Sequence, residues 1–240
     1  MNFLKNDTQQ VKCNYTSRNG QHVAQVIDNF LSKSDFVTLK SIIIKYLNND
    51  LHEKEYTKEN RIVYCHSSVG YTFDFTLHWS VNITEEVFLN TNILKRIQES
   101  FDIEQHRELK VKRIYCSFQS WNHFGNWHCD DSNDGTYTFV TYVDISPEIF
   151  NCRNQDVHFE IISEVKQRAT PQEEGMLERL NRTDKGGYFY LKFPGDDEIN
   201  FFPFKENRGI FFNSKLLHNG DCFRNNEKSM RCVVAFKLFT

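Results

Sequence analysis

The sequence predicts a mainly β fold of two stacked sheets with supporting helices on one side, an α+β arrangement. Aromatic residues make up 15% of the 240 residues, with 22 Phe, and aromatic side chains favour strands. Apolar residues at helical spacing are concentrated before residue 105, whereas the chain after about residue 110 reads as strand after strand. We therefore predict one domain over residues 1–240, with helical and strand support in 1–105 and the β core in 106–240.

The N-terminal part carries signals for a strand and two helices. The segment 23–27 reads as a short strand, and Ser34 is a plausible N-cap for the helix that follows. Apolar residues at helical spacing support that helix: Leu39, Ile42, Ile43 and Tyr46. Residues 50–60 are charged and predict a loop, and partial alternation over 61–83 predicts strands. A second helix is predicted over 84–101.

The C-terminal part predicts a run of strands separated by turn residues at Asp134-Gly135, Pro194-Gly195 and Asn207. The strand segments are KVKRIYCSFQSW, TYTFVTYVDI, DVHFEIIS, GYFYLKF, EINFFPF, RGIFFNS and RCVVAFKLF. The strongly charged segment 164–186 interrupts this rhythm. Long insertions between strands are usually functional or disordered, so a lid over a site and a surface loop both remain open.

Composition excludes several classes of protein. The formal net charge is −3 and no long basic run occurs, which argues against a nucleic-acid partner. No apolar stretch approaches the roughly 18 residues of a membrane span, and the polar N-terminus lacks the apolar region of a signal peptide. The seven Cys are scattered without a CxxC pair. Reduced thiols, a cytoplasmic location and no membrane partner are therefore expected.

Three residues could bind one metal ion. His128 and Asp130 would face the same side if their segment is a strand, although a His-x-Asp triplet arises often by chance. His218 follows a later apolar strand. Two His and one carboxylate can fill one face of an octahedral iron and leave the remaining positions open for oxygen chemistry. Arg231 opens the last apolar strand, and its planar cation suits a carboxylate co-substrate such as 2-oxoglutarate.

In this order of motifs the chain resembles the iron(II)/2-oxoglutarate-dependent dioxygenases, especially their prolyl 4-hydroxylase-like branch. The resemblance is carried by QVIDNFLSKSDFVTLKSII, by RIYCSFQSWNHFGNWHCDDSNDGTYTFVTYVD, and by FPFKENRGIFFNSKLLHNG with RCVVAF after it. It implies a double-stranded β-helix, or jelly roll, with Fe(II), 2-oxoglutarate and O2 as cofactor and co-substrates. It carries the metal-ligand roles onto His128, Asp130 and His218.

The resemblance also implies a cation and a tyrosine that hold the far carboxylate of 2-oxoglutarate. Arg231 takes the position of the cation, and Tyr115 sits where many relatives place such a tyrosine. The basic residue often follows the second His more closely, where this chain has Lys228, with Arg224 earlier still. We prefer Arg231 because it opens an apolar strand, whereas the other two lie in a polar turn. Ser229 shares a strand face with Arg231 and is a further candidate donor, with an ordinary strand serine as the alternative.

Other residues near the motif have open roles. Trp121, His123 and Trp127 flank the His-x-Asp triplet and could line a substrate pocket, or simply pack in the core or at its rim. His158 and Glu160 form a second pair with the same spacing. No later His-strand-Arg ending is tied to that pair, so we expect a core or supporting role for it.

The implied activity is hydroxylation of an unactivated C–H bond in an amino acid, a peptidyl proline or another small molecule, with release of succinate and CO2. Asp130 favours hydroxylation, because related halogenases lack this carboxylate. Two rivals are a cupin-like metal-dependent isomerase or lyase and a non-catalytic β-sandwich binding module. The sequence selects neither the substrate nor the oligomeric state.

Overall fold

The computed structural model describes residues 12–16, 22–52, 78–101, 108–120, 127–145, 187–195, 199–220 and 230–240. Several predicted features lie outside these ranges: most of the 61–83 strands, DVHFEIIS with His158 and Glu160, the segment 164–186, and Trp121, His123, Arg224, Lys228 and Ser229.

The described residues form antiparallel strands and a few helices. The strands are β1 (Lys12–Thr16), β2 (His22–Ile27), β3 (His78–Asn82), β4 (Lys110–Ser120), β5 (Thr136–Ile145), β6 (Phe189–Lys192), β7 (Ile199–Phe202), β8 (Gly209–Asn213), β9 (Leu217–Gly220) and β10 (Met230–Phe239). The helices are α1 (Lys33–His52), α2 (Thr84–Asn90) and α3 (Ile93–Ser100). None of these helices combines the length and apolar character that crossing a membrane requires.

The strands form two sheets. The larger has the order β1-β2-β8-β5-β10-β4-β3 and the smaller has the order β7-β6-β9, with antiparallel pairing throughout. Consecutive strands pair as β1 with β2, β3 with β4 and β6 with β7, whereas neighbours such as β2 and β8 are distant in sequence and require crossovers. This is the predicted mainly β fold, with the two-sheet arrangement of a jelly roll.

The central strands of the larger sheet are buried on both faces. Along β10, Cys232, Val234 and Phe236 pack towards the helices, while Val233 and Ala235 pack towards the smaller sheet. A strand buried on both sides reads as a continuous apolar run, which explains why β10 shows little alternation in the sequence. The inner layer, between the two sheets, is the layer that contains the candidate site described below.

The start of α1 differs from the prediction. The helix begins at Lys33, so Ser34 lies inside it, and Ser32 takes the capping role. The hydroxyl of Ser32 accepts a hydrogen bond from the backbone N–H of Asp35 at 3.1 Å and donates to the Asp35 carboxylate at 2.8 Å. This reciprocal pair satisfies one of the free N–H groups at the helix start.

The helix predicted over 84–101 is wrong as a single element, because α2 ends at Asn90 and α3 begins at Ile93. Thr91 has an extended backbone and donates its hydroxyl to the carbonyl of Val87 at 2.7 Å. Side-chain bonds of this kind compete with the backbone bonds of a continuing helix. The apolar spacing survives the break, since Ile97 and Phe101 remain buried.

An ion-pair cluster ties the end of β2 to the segment before β8. The Asp28 carboxylate accepts hydrogen bonds from Arg208 Nε at 2.6 Å, Arg208 Nη2 at 3.1 Å and Lys205 Nζ at 2.8 Å. The hydrogen bonds from Arg208 are the main cause that lowers the pKa of Asp28 below its ordinary value, against the opposing effect of burial. The carboxylate is therefore stabilised in its charged form.

Candidate metal centre

Backbone hydrogen bonds join the two predicted metal-binding histidines. The N–H of His128 donates to the carbonyl of His218 at 3.0 Å, and the N–H of His218 donates to the carbonyl of His128 at 2.9 Å. The two imidazole rings lie 4.3 Å apart between centroids. His128 forms only an isolated bridge, rather than part of the continuous strand on which the sequence argument relied. The bridge brings together two residues that are far apart in the chain.

Asp130 completes a cluster of three possible metal ligands. Its N–H donates to the carbonyl of Ser214 at 2.9 Å, which fixes the backbone just after the bridge. His128 Nε2 lies 3.5 Å from Asp130 Oδ1, and His218 Nε2 lies 3.3 Å from Asp130 Oδ2. One donor atom from each residue lies within 4.8 Å of the others. Two imidazoles and one carboxylate at these separations fit a divalent transition metal such as iron.

The second histidine is oriented for binding through Nε2. His218 Nδ1 lies 2.9 Å from the carbonyl oxygen of Leu216, which can only accept, so Nδ1 carries the hydrogen. Burial lowers the pKa of His218, and the nearby Asp130 offsets this only in part. Nε2 is therefore the nitrogen of this ring that is left to bind a metal ion. A second hydrogen bond that fixes the ring in this way is typical of metal-binding histidines.

A buried lysine that the sequence analysis did not single out contacts the carboxylate of the cluster. Lys237 Nζ forms an ion pair with Asp130 Oδ2, and the Thr138 hydroxyl donates to the same oxygen at 2.7 Å. Burial raises the pKa of Asp130. The contacts with the imidazoles of His128 and His218, together with the charge of Lys237, outweigh this and hold that pKa well below its usual range. Asp130 is therefore an anion in the metal-free chain.

Arg231 lies on the same face of β10 as Lys237 and is buried, with 3% of its surface exposed. Its guanidinium carbon lies 5.1 Å from the ring centroid of Tyr142, and its Nη2 donates to the Tyr142 hydroxyl at 3.5 Å. Gly220 lies so close that a Cβ added there would come within 2.7 Å of Arg231 Nη1. The sequence analysis did not identify Tyr142. The sequence signal that could have identified it is its spacing of four residues from Thr138 in a predicted strand, which places both side chains on one face.

Two other predicted site residues lie within the described ranges. The Tyr115 ring contacts two cations, with Arg113 Cζ at 4.9 Å and Lys237 Nζ at 5.6 Å from its centroid. The strand partner of Tyr115 is Ala235, four positions from Arg231, so the ring lies beside the lysine end of β10. Trp127 is half-buried and its ring centroid lies 6.2 Å from that of Tyr190 on the smaller sheet.

The fold is similar to that of several solved structures, whereas no model of a protein family and no curated protein matches the sequence. AviO1 from Streptomyces viridochromogenes is 10% identical, with 91% of this chain and 90% of that chain covered and a TM-score of 0.54. A prolyl hydroxylase from Trichoplax adhaerens, solved with a peptide fragment of the hypoxia inducible factor oxygen degradation domain, is 14% identical, with 90% and 83% covered and a TM-score of 0.50. EvdMO1 is 11% identical, with a TM-score of 0.52, and 88% of this chain matches 45% of that longer one.

At these identities the similarity is one of fold. The chain has a jelly-roll fold, similar to that of the prolyl hydroxylase above. The resemblance found in the sequence is therefore confirmed at the level of the fold. The His-Asp-His cluster is a separate observation, and it lies between the sheets of this fold.

Proposed function

We propose that the protein is a non-haem Fe(II)/2-oxoglutarate-dependent dioxygenase. The observation that carries the proposal is the convergence of His128, Asp130 and His218 between the sheets of a fold that this class of enzyme uses. These three residues would hold the iron. With 2-oxoglutarate and O2, the bound iron would supply the oxidising chemistry that converts 2-oxoglutarate into succinate and CO2 and hydroxylates a substrate C–H bond.

Arg231 and Tyr142 are suited to hold the far carboxylate of 2-oxoglutarate. The guanidinium offers two parallel N–H donors to a carboxylate, and the phenol hydroxyl lies beside it at 3.5 Å. Gly220, which is next to the guanidinium, lies two positions beyond His218 on β9. That spacing corresponds to roughly 7 Å along a strand, a length that a five-carbon dicarboxylate can span. Ser229 stays a candidate donor to the same group.

Tyr115 is assigned to the co-substrate site as well, at the end that is nearer to the metal ligands. Its ring lies beside Lys237, which contacts Asp130. A phenol hydroxyl at that end could donate to an oxygen of the bound keto acid. This placement modifies the expectation from the sequence, which gave Tyr115 and Arg231 the same carboxylate.

The substrate is proposed to enter beside His128. This side chain is 49% exposed, whereas the side chains of Asp130 and His218 are 6% exposed, so solvent reaches the cluster from one side. Trp127 precedes His128, and Trp121 and His123 are the other proposed pocket residues. An amino acid, a peptidyl proline or another small molecule is the proposed substrate class. The peptide-bound prolyl hydroxylase of similar fold supports a peptidyl substrate.

The proposal is tested by metal-dependent turnover. Purified without oxygen and loaded with Fe(II), the wild type is expected to convert 2-oxoglutarate slowly into succinate after oxygen is admitted. His128→Ala and Asp130→Ala should each lower that turnover by at least tenfold, because loss of one ligand weakens the metal site. Cys129→Ala is the matched control, since its thiol donates to the Lys215 carbonyl at 3.1 Å and takes no part in the cluster.

Three results would contradict the proposal. Unchanged turnover in both ligand variants would exclude this metal site. Metal binding without any 2-oxoglutarate turnover, and without an effect of the mimic N-oxalylglycine, would favour a cupin-like isomerase or lyase. A wild-type protein that binds no stoichiometric metal would favour a non-catalytic binding module.

A further inference from the structure

We propose that Lys237 is an internal cation that competes with the metal for Asp130, so that the site is held in shape without metal at the expense of metal affinity. The inference rests on the proposed metal site. Its basis is a buried group of three side chains. Lys237 on β10 and Thr138 on β5 lie opposite each other, and Asp130 lies in the segment before β5.

The two oxygens of Asp130 have different surroundings. Oδ2 contacts Lys237 Nζ, accepts the Thr138 hydroxyl at 2.7 Å and lies 3.3 Å from His218 Nε2. Oδ1 faces His128 Nε2 at 3.5 Å. The Thr138 oxygen lies 3.4 Å from Lys237 Nζ and 3.0 Å from Ser214 Oγ. Because Thr138 gives its only hydrogen to the carboxylate, it must accept from both of these neighbours. Lys237 and Thr138 thus both engage Oδ2, the oxygen that lies beside His218, while Oδ1 faces His128.

The charges of this group cancel before any metal arrives. The side chains of Lys237 and Asp130 are 8% and 6% exposed, so each would be costly to bury alone. Their pairing supplies the carboxylate with a cation in the metal-free chain. If the same carboxylate bound a divalent ion, only that carboxylate group would separate the ion from the ammonium of Lys237. Like charges at this distance repel strongly in a buried site, where water screens them little.

Lys237 therefore orders the site before the metal binds. It also lowers the metal affinity below that of the same three ligands without a neighbouring cation. Replacing Lys237 by methionine keeps the volume of the side chain and removes its charge. The Thr138 hydroxyl still holds Oδ2 in the variant, so the loss of one orienting contact is smaller than the relief of repulsion. We therefore expect tighter metal binding together with a less stable metal-free protein.

The experiment compares full-length wild type with Lys237→Met, and with Lys205→Met as the control for replacing a lysine that pairs with an aspartate elsewhere. Each protein is titrated with Co(II) and followed by absorption, and its melting temperature is measured with and without Co(II). Lys237→Met is expected to bind Co(II) roughly tenfold more tightly or better. It should melt several degrees below wild type without metal, with a smaller difference when loaded. Lys205→Met should match the wild-type affinity and shift both melting temperatures alike.

Two further variants separate charge from folding. Lys237→Gln removes the charge but retains a donor for Asp130, and it takes the place of Lys237→Met if that variant fails to fold. It should also bind Co(II) more tightly than wild type, whereas Lys237→Arg, which keeps the charge, should not. Unchanged or weaker Co(II) binding in the neutral variants, with melting temperatures that fall equally in both states, would overturn the inference and leave the metal site intact. A wild type that binds no Co(II) would overturn both the metal site and the inference.

Discussion

Gly220→Ala provides a test of the co-substrate site that removes no polar group. The backbone at Gly220 is not in the left-handed region, so alanine is compatible with the main chain. Its Cβ would lie 2.7 Å from Arg231 Nη1 and 3.3 Å from Cζ and Nη2. Ordinary contacts begin at 3.4 Å, so the guanidinium would have to move by roughly 0.7 Å.

A shift of that size should weaken the grip on a carboxylate without removing the charge. A misplacement of about 1 Å can lower activity by up to ~100-fold, because parallel N–H···O bonds depend on alignment. We expect the 2-oxoglutarate concentration for half-maximal succinate formation to rise roughly ten- to hundredfold, equivalent to about 1.4–2.8 kcal/mol. Co(II) affinity should stay at the wild-type value, since the metal ligands are untouched.

A double variant makes this prediction specific. In an Arg231→Met background, Gly220→Ala should add little to an already raised requirement, because both changes act through one guanidinium. Additive effects, or an unchanged requirement after Gly220→Ala alone, would refute the reasoning. An unchanged requirement after Arg231→Met would direct attention to Lys228 or Arg224.

Two further predictions concern single hydrogen-bonding groups. Tyr142→Phe removes the hydroxyl 3.5 Å from the guanidinium and should raise the 2-oxoglutarate requirement roughly three- to tenfold in the same titration; no change would exclude that hydroxyl from the site. Because the pKa of Asp28 is lowered from 3.8 by Arg208, its ion pair should stabilise the fold above that pH and lose this effect as the pH falls further. Asp28→Asn should therefore lower the free energy of unfolding in urea by about 1–2 kcal/mol at pH 6 and by much less near pH 3. An equal loss at both pH values would contradict the assignment.

The strands were largely predictable because burial on two faces produces long apolar runs. The segments TYTFVTYVDI and RCVVAFKLF correspond closely to β5 and β10. The short strand β9 was not predicted as a separate element, since four residues carry no clear period. The helix ends were misplaced by the choice of Ser34 and by the missed break at Thr91. Single hydrogen bonds decide such ends, and apolar spacing does not record them.

The sequence by itself determined the mainly β fold and indicated the three metal-ligand candidates. A His-x-Asp triplet precedes one apolar strand, a second His follows a later strand, and an Arg begins the last strand. Only the tertiary structure decided which other side chains surround Asp130. Lys237 lies in an apolar strand, and its neighbours Phe236 and Leu238 are also buried. The sequence of the strand therefore does not show which of its faces points towards the site. Strand order and register place Lys237 opposite Thr138 on β5. That pairing joins residues far apart in the chain, and local sequence cannot specify it.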